Sequence, residues 1–220
     1  ITELLDGNFI SIAKSMLFFF GIIALVLIGV LALTAVFADA NSPLVEWIDS
    51  TVVLGEMLNG LKIVLIGEDG ESGLKGAFDV LLLALITGAA VWLVFGAPIA
   101  VFVIAIIMVV GIFRWVKTKT DSTVAALLAA GAVLMVGVTA FIATISTTVA
   151  GMVAPFLLPF ALILAGLSLA WAVATGKVSA WWSIVAAAAV GLGLWFLSGL
   201  AIFAGFLTLP VILVIAFVVL

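Results

Sequence analysis

Residues 80–113 read VLLLALITGAAVWLVFGAPIAVFVIAIIMVVGIF, with no charged side chain among them. A helix crosses the roughly 30 Å of bilayer hydrocarbon with about 20 apolar residues at about 1.5 Å each, so this run is long enough to cross twice. Its middle, Gly96-Ala97-Pro98, supplies the turn: the residue before a proline leaves the helical region, and Pro98 suits the first turn of a new helix. The pattern predicts spans near 76–95 and 98–115. Neutral runs also cover Ser15 to Ala38, Ser122 to Gly176 and Val178 to Leu220. These have room for about one, two to three, and two spans. The alternating signature of a membrane β-barrel is missing, so the spans are read as helices that satisfy their backbone groups internally. The expected fold is all-α: a polytopic transmembrane helical bundle of about seven spans, within limits of about six and eight, plus one amphipathic helix.

Composition points the same way. Of 220 residues, 68% are hydrophobic and 8% charged, against roughly 45–50% and about 25% in a soluble domain. Seven basic and eleven acidic residues cannot coat a soluble protein of this size, and the mean hydropathy is +1.61. A nucleic-acid binder, a disordered chain and a conventional soluble enzyme are excluded. Cysteine, histidine, tyrosine and glutamine are absent. That removes disulfides, thiolate nucleophiles, the usual general base and the commonest metal ligands. The net charge of -4 arises mostly between Asp39 and Asp79.

In the third neutral run, residues 147–151 precede Pro155, which predicts spans near 122–147 and 152–174, the second kinked at Pro159. The last run divides near Leu197-Ser198-Gly199 into spans near 178–197 and 200–220, with a kink at Pro210. Trp92, Trp115, Trp171, Trp181 and Trp182 fall near these borders and are read as interfacial anchors, and Trp195 also fits. Three regions follow: 1–37, an amino-terminal segment and first span; 38–75, an acidic loop with the amphipathic helix; and 76–220, a hydrophobic bundle of about six spans.

The stretch from Ala38 to Gly76 reads as the wet part. Ser42-Pro43 looks like a cap followed by a first-turn proline, and Leu44 to Leu58 continue as one helix. Glu46, Asp49 and Glu56 share one side of it, with Trp47, Leu54, Met57 and Leu58 roughly opposite, so it would lie at the interface or on the bundle. Gly67-Glu68-Asp69-Gly70-Glu71-Ser72-Gly73 lacks the register of a calcium loop and reads as a flexible acidic turn. Basic residues set the orientation. With the amino terminus outside and the carboxyl terminus inside, Lys62, Lys75, Arg114, Lys117, Lys119 and Lys177 are cytoplasmic and Lys14 is the exception. The chain opens at Ile1 and stops at Leu220 within an apolar run, as expected of a processed product or a fragment.

Chemistry has few candidates. Asp79 lies about one turn into a span, four residues after Lys75 on the same face, and is the one candidate for an ion or proton site. Its shallow depth favours a carboxylate paired at the interface near the helix start. No second intramembrane carboxylate is evident to pair with it, so no dyad, metal site or cofactor site is expected, and no catalytic residue. Thr139, Thr144, Ser146, Thr147 and Thr148 form a hydroxyl run read as bonding back to helix carbonyls or joining helices. Ala187, Gly191 and Gly193 invite close packing.

One pattern recurs: Ala97-Pro98 runs apolar to Trp115 and Lys117-Thr118-Lys119, and Ala154-Pro155 runs apolar to Trp171 and Thr175-Gly176-Lys177. The first copy begins Gly96-Ala97-Pro98-Ile99 and ends Arg114-Trp115-Val116-Lys117-Thr118-Lys119-Thr120-Asp121-Ser122. It resembles the hydrophobic hairpins of the tail tape-measure proteins of tailed viruses. In that family a neutral hairpin opening with Gly/Ser-Pro-Ile or Gly/Ser-Pro-Val ends in an aromatic residue, Lys and Ser. The resemblance covers Leu81 to Ala125 and, more weakly, Val153 to Lys177. It implies hydrophobic segments that enter a host membrane during genome delivery, and no catalytic residue. The expected function is that of a non-catalytic integral membrane protein, a structural or conduit-forming component of a larger assembly such as a virion membrane, genome-delivery or secretion complex. The alternative is a small-solute transporter or channel with a path at proline-broken helices. The expected partners are the lipid bilayer and further copies or other membrane subunits, with no readable nucleic-acid site.

Overall fold

The computed structural model describes residues 2–38, 42–67 and 74–199. All regular structure among them is helical: α1 (Thr2–Phe37), α2 (Pro43–Asp49), α3 (Val52–Leu65), α4 (Lys75–Phe95), α5 (Ala97–Thr120), α6 (Thr123–Ile145), α7 (Thr147–Ala174) and α8 (Trp182–Gly199). The joins from α4 to α7 are short because each has a local stop. Gly96 takes a φ of 88°, which L side chains rarely adopt, while its N–H still bonds the carbonyl of Trp92. Ala97 and Pro98 then open α5. Asp121 ends α5 in the left-handed region, and Ser122 accepts the N–H of Ala125 at 3.2 Å to start α6. A single extended serine, Ser146, separates α6 from α7 and accepts the N–H of Val149 at 3.3 Å.

Joins this tight make the helices antiparallel neighbours, and small residues let them approach closely. A Cβ added at Gly88 of α4 would run into Ile104 of α5, and one at Gly137 of α6 would lie 2.7 Å from Ala105 of α5. Gly166 of α7 faces Val190 of α8 in the same way, and Gly193 faces the carbonyl of Pro159. At the other end of the row, Gly21 of α1 packs on Leu93 and Val94 of α4. The helices therefore stand in the spatial order α1, α4, α5, α6, α7, α8, each packed on its neighbours, and among the described residues no extensive contact joins helices further apart. α3 crosses α1, α4 and α5 at one end, with α2 beside it.

Five helical segments are long and apolar enough to cross a membrane: Ile10–Phe37 within α1, and α4, α5, α6 and α7. Their outward faces carry Phe19, Phe20, Trp92, Phe102 and Met152, each more than half exposed. Hydrocarbon is the solvent that tolerates such a surface. The expected all-α membrane bundle is present to that extent. The span expected at 178–197 is a shorter apolar helix whose first residue is Trp182. The span expected at 200–220, with Pro210, lies outside the described residues.

Four expectations change. The helix expected over Leu44 to Leu58 is two helices, broken at Ser50-Thr51, and the second runs on to Leu65. Ser42 does cap the first, accepting the N–H of Val45 at 3.3 Å with Pro43 behind it. The region read as wet supplies core: Val45, Ile48, Met57, Leu58 and Leu61 pack with Leu31 and Ala35 of α1 and Leu83 of α4. Pro155 does not open its helix; α7 begins at Thr147 and contains both Pro155 and Pro159. The two proline-started units are thus unlike, because a serine cap starts the second helix two turns earlier. α5 also outlasts its expected end at 115, carrying Lys117 and Lys119 in its last turn.

Candidate functional site

The polar centre of the molecule forms where α3 crosses the start of α4. Asp79, one turn into α4, is fully buried. It is not the shallow interfacial carboxylate its position suggested, because α3 lies over it. Gly60 makes that possible: a Cβ there would sit 2.6 Å from the carbonyl oxygen of Asp79, so only glycine lets α3 settle on this turn. One helical turn before Gly60, α3 presents Glu56, whose side chain is 21% exposed and whose carboxyl lies near enough to that of Asp79 for the two to interact. Lys75, the first residue of α4, closes the group with its Nζ 3.4 Å from Glu56 Oε1.

Asp79 therefore does have a second carboxyl group beside it, supplied by the helix that was read as a surface element. Lys75 pairs across to α3. The interaction with Asp79, above all, holds the Glu56 carboxyl below its ordinary 4.5; partial burial opposes this, and the charge of Lys75 assists it. Glu56 is accordingly a carboxylate at neutral pH. A signal for it was present in the sequence: Glu56 sits among Gly55, Met57, Leu58, Gly60 and Leu61, all of which are buried. A carboxylate inside such a face needs a partner.

The surroundings are otherwise apolar. Val80 and Leu83 flank Asp79 on α4 and are buried. Gly111 of α5 lies against Val80 and Val64. Thr118 of α5 donates to the carbonyls of Arg114, at 2.9 Å, and Gly67, at 3.3 Å, tying the end of α3 to the end of α5. Thr87, two turns along α4 from Asp79, is buried with no hydrogen-bond partner for its hydroxyl among the described residues.

The other singled-out residues do not join this group. Thr139 donates to the carbonyl of Met135 at 2.8 Å and Thr144 to that of Phe141 at 2.7 Å, while Ser146 serves as a cap. Ser168 of α7, which the sequence reading passed over, donates across to the carbonyl of Ala125 of α6 at 2.7 Å. Trp92 and Trp171 lie exposed in the last turns of α4 and α7, and the rings of Trp181 and Trp182 stack 4.3 Å apart at the start of α8. Trp115 differs: it packs beside Val116, Ala125 and Ala126, with its ring nitrogen buried. Pro159 is buried within α7.

The antiparallel order gathers the basic residues. Lys75 begins α4, Arg114, Lys117 and Lys119 end α5, Lys177 follows α7, and Lys62 is on the crossing α3. All lie at one end of the row. Lys14 lies in the opposite half of α1, before the Gly21 contact with Leu93. Two apolar grooves run along the row. One of about 310 Å³ is lined by Phe102, Ile106, Val109, Leu134 and Phe141 of α5 and α6. The other, of about 630 Å³, spans α4 to α7 with Leu81, Ile104, Val136, Ala140, Leu158 and Ala165 on its walls.

These features define a helical protein of the multi-pass membrane class with one buried polar knot. Comparison with models of known protein families, with curated proteins and with solved structures gives no match.

Proposed function

We propose that this chain is a non-catalytic integral membrane protein, a structural or conduit-forming component of a larger membrane assembly. The open row of helices carries this reading. Among the described residues each helix of the row packs on its row neighbours, with α2 and α3 lying over it at one end, so most of both broad faces is left apolar and uncovered. A single layer encloses no path, whereas several layers set side by side would surround one. Ala132, Gly137, Ala140, Ala161 and Ala165 make the wider groove shallow enough for another helix to approach. The likeness of residues 81–125 to tape-measure hairpins makes genome delivery one such setting, beside a virion membrane or secretion complex.

In this reading the chain crosses the bilayer about seven times, α8 and residues 200–220 included, with the amino terminus outside and the carboxyl terminus inside. Six of the seven basic residues lie at one end of the row, which supports placing that end in the cytoplasm. A second reading, a small-solute transporter, draws on α7: Pro155 and Pro159 deprive the carbonyls of Gly151 and Pro155 of their helical N–H partners. Purified protein in liposomes separates the two. Stable higher-order particles without solute-specific uptake support the assembly role; saturable uptake of one solute by the isolated protein overturns it.

A further inference from the structure

We propose that copies of this chain associate edge to edge, the α2 side of one row against the α7–α8 join of the next, with Glu46 and Asp49 of one copy meeting Lys177 of its neighbour. This rests on the assembly reading and deepens it by naming a second copy of the chain as the partner. Charge is unevenly spread over the end of the row where α3 crosses. At the α1 edge, α2 packs on Leu31 and Ala35 of α1 through Val45 and Ile48, which leaves Glu46 and Asp49 exposed and without an ion pair among the described residues. At the opposite edge, the join from α7 to α8 presents Lys177, likewise exposed and without one. These groups are kept apart within one copy, because α2 and α3 make their extensive contacts with each other and with α1, α4 and α5, and α6 and α7 stand between them and α8. The other charges at this end belong elsewhere: Glu56 pairs with Lys75, Lys62 is on α3, and Arg114, Lys117, Lys119 and Asp121 are on α5 or end it. Residues 200–220, which follow α8, carry no charged side chain.

The bilayer turns this asymmetry into a matched pair of edges. Copies inserted the same way round share one orientation and one depth, so groups at the same end of the row arrive level with each other. Displacing one copy along the row then brings its acidic edge to its neighbour's basic edge. Both edges are bare. α1 is the least buried of the five spans, and α8 leaves Ile184, Ala188, Leu192 and Trp195 exposed along one side, away from Ala186, Val190 and Gly193, which face α7. Packing of the apolar edges supplies the attraction. The charge pair, exposed to water, adds little to it and selects which edge meets which. A contact between unlike edges repeats from copy to copy, closing into a ring or running on as an open chain. A closed ring of such rows surrounds a path, as the conduit reading requires.

Oxidative cross-linking of the full chain in membranes isolated from expressing cells tests this, since the chain has no cysteine of its own. Leu44 on α2 and Ser179 beside Lys177 are both exposed. A chain carrying Leu44→Cys and Ser179→Cys together is expected to give a ladder of multimers. Two co-expressed chains carrying one substitution each are expected to link to each other in excess of either linking to itself. Adding Glu46→Lys and Asp49→Lys to the Leu44→Cys chain is expected to lower that yield about two- to fivefold, and adding Lys177→Glu to the other chain to restore it. Absence of the unlike link, or links between like positions alone, overturns the proposal, as does a yield that the charge variants leave unchanged. The first two readings need no charge variant, so one that fails to fold does not shield the proposal. Higher-order particles that persist without the unlike link leave the assembly reading standing while the edge contact fails; a chain that stays monomeric and takes up one solute saturably removes both.

Discussion

Gly60 and Glu56 show how single positions on a short helix set the centre of the molecule. Gly60→Ala places a methyl group against the backbone at Asp79, and backbone cannot move aside as a flexible side chain does. The expected loss is about 1–3 kcal/mol, read as a lower unfolding midpoint in detergent with early exchange of α3. Gly29→Ala is the control: nothing lies within 4 Å of its added carbon, so the helix gains about 0.5–1 kcal/mol. Thr87→Val removes a buried hydroxyl that has no hydrogen-bond partner among the described residues and is expected to raise the midpoint, because an unsatisfied buried group costs about 1–3 kcal/mol. Acid acts through Glu56. Its carboxyl lies below the ordinary 4.5 when folded, so its contribution is complete above that value and drains away as pH falls below it. Exchange protection of α3 should weaken in that acid range, and Glu56→Gln should abolish this acid sensitivity.

At the level of the element, caps explain most of what differs from the sequence reading. Proline drew the expected start of the fifth span to residue 152, yet Ser146 starts α7 first, and the helix tolerates Pro155 and Pro159 inside it because neighbouring helices stabilise a chain that has lost one or two internal bonds. The amphipathic helix split for a related reason: Ser50 and Thr51 stop α2, its backbone satisfied by Glu46 and Ile48, and α3 takes a new direction into the bundle. Asp121 adopts a φ of 49° at the end of α5. Asp121→Gly should relieve about 1 kcal/mol, while Asp121→Val should destabilise the α5–α6 join; thermal unfolding of both variants reads the sign. Between elements, Ser168→Ala removes the bond to Ala125, with an expected cost of about 0.6 to 1.7 kcal/mol.

The whole molecule is a row in which neighbours in space are largely neighbours in sequence, so its polarity can be read from either end. Wild-type chain contains no cysteine, and single introduced cysteines report sidedness without background. In intact cells, Ser146→Cys is expected to react with an impermeant reagent added outside. Lys119→Cys and Lys177→Cys should react only after the membrane is opened. The reverse labelling would invert the orientation, and labelling of Lys119→Cys and Ser146→Cys from the same side would mean that α6 does not cross.

Sequence by itself determined the solvent and the class of element, because both follow from composition and from the length of neutral runs, which no packing arrangement can alter. It marked Asp79 as the polar residue to watch and Ser42-Pro43 as a helix start. The tertiary structure alone decided that Asp79 is buried, because its cover comes from Gly60 on another helix. It alone gave Asp79 a carboxyl partner, because the side of α3 that looked wet in a helical projection is turned inward by the break at Ser50-Thr51. Periodicity along one helix records which residues share a face, and the neighbour met by that face is settled only when the helices pack.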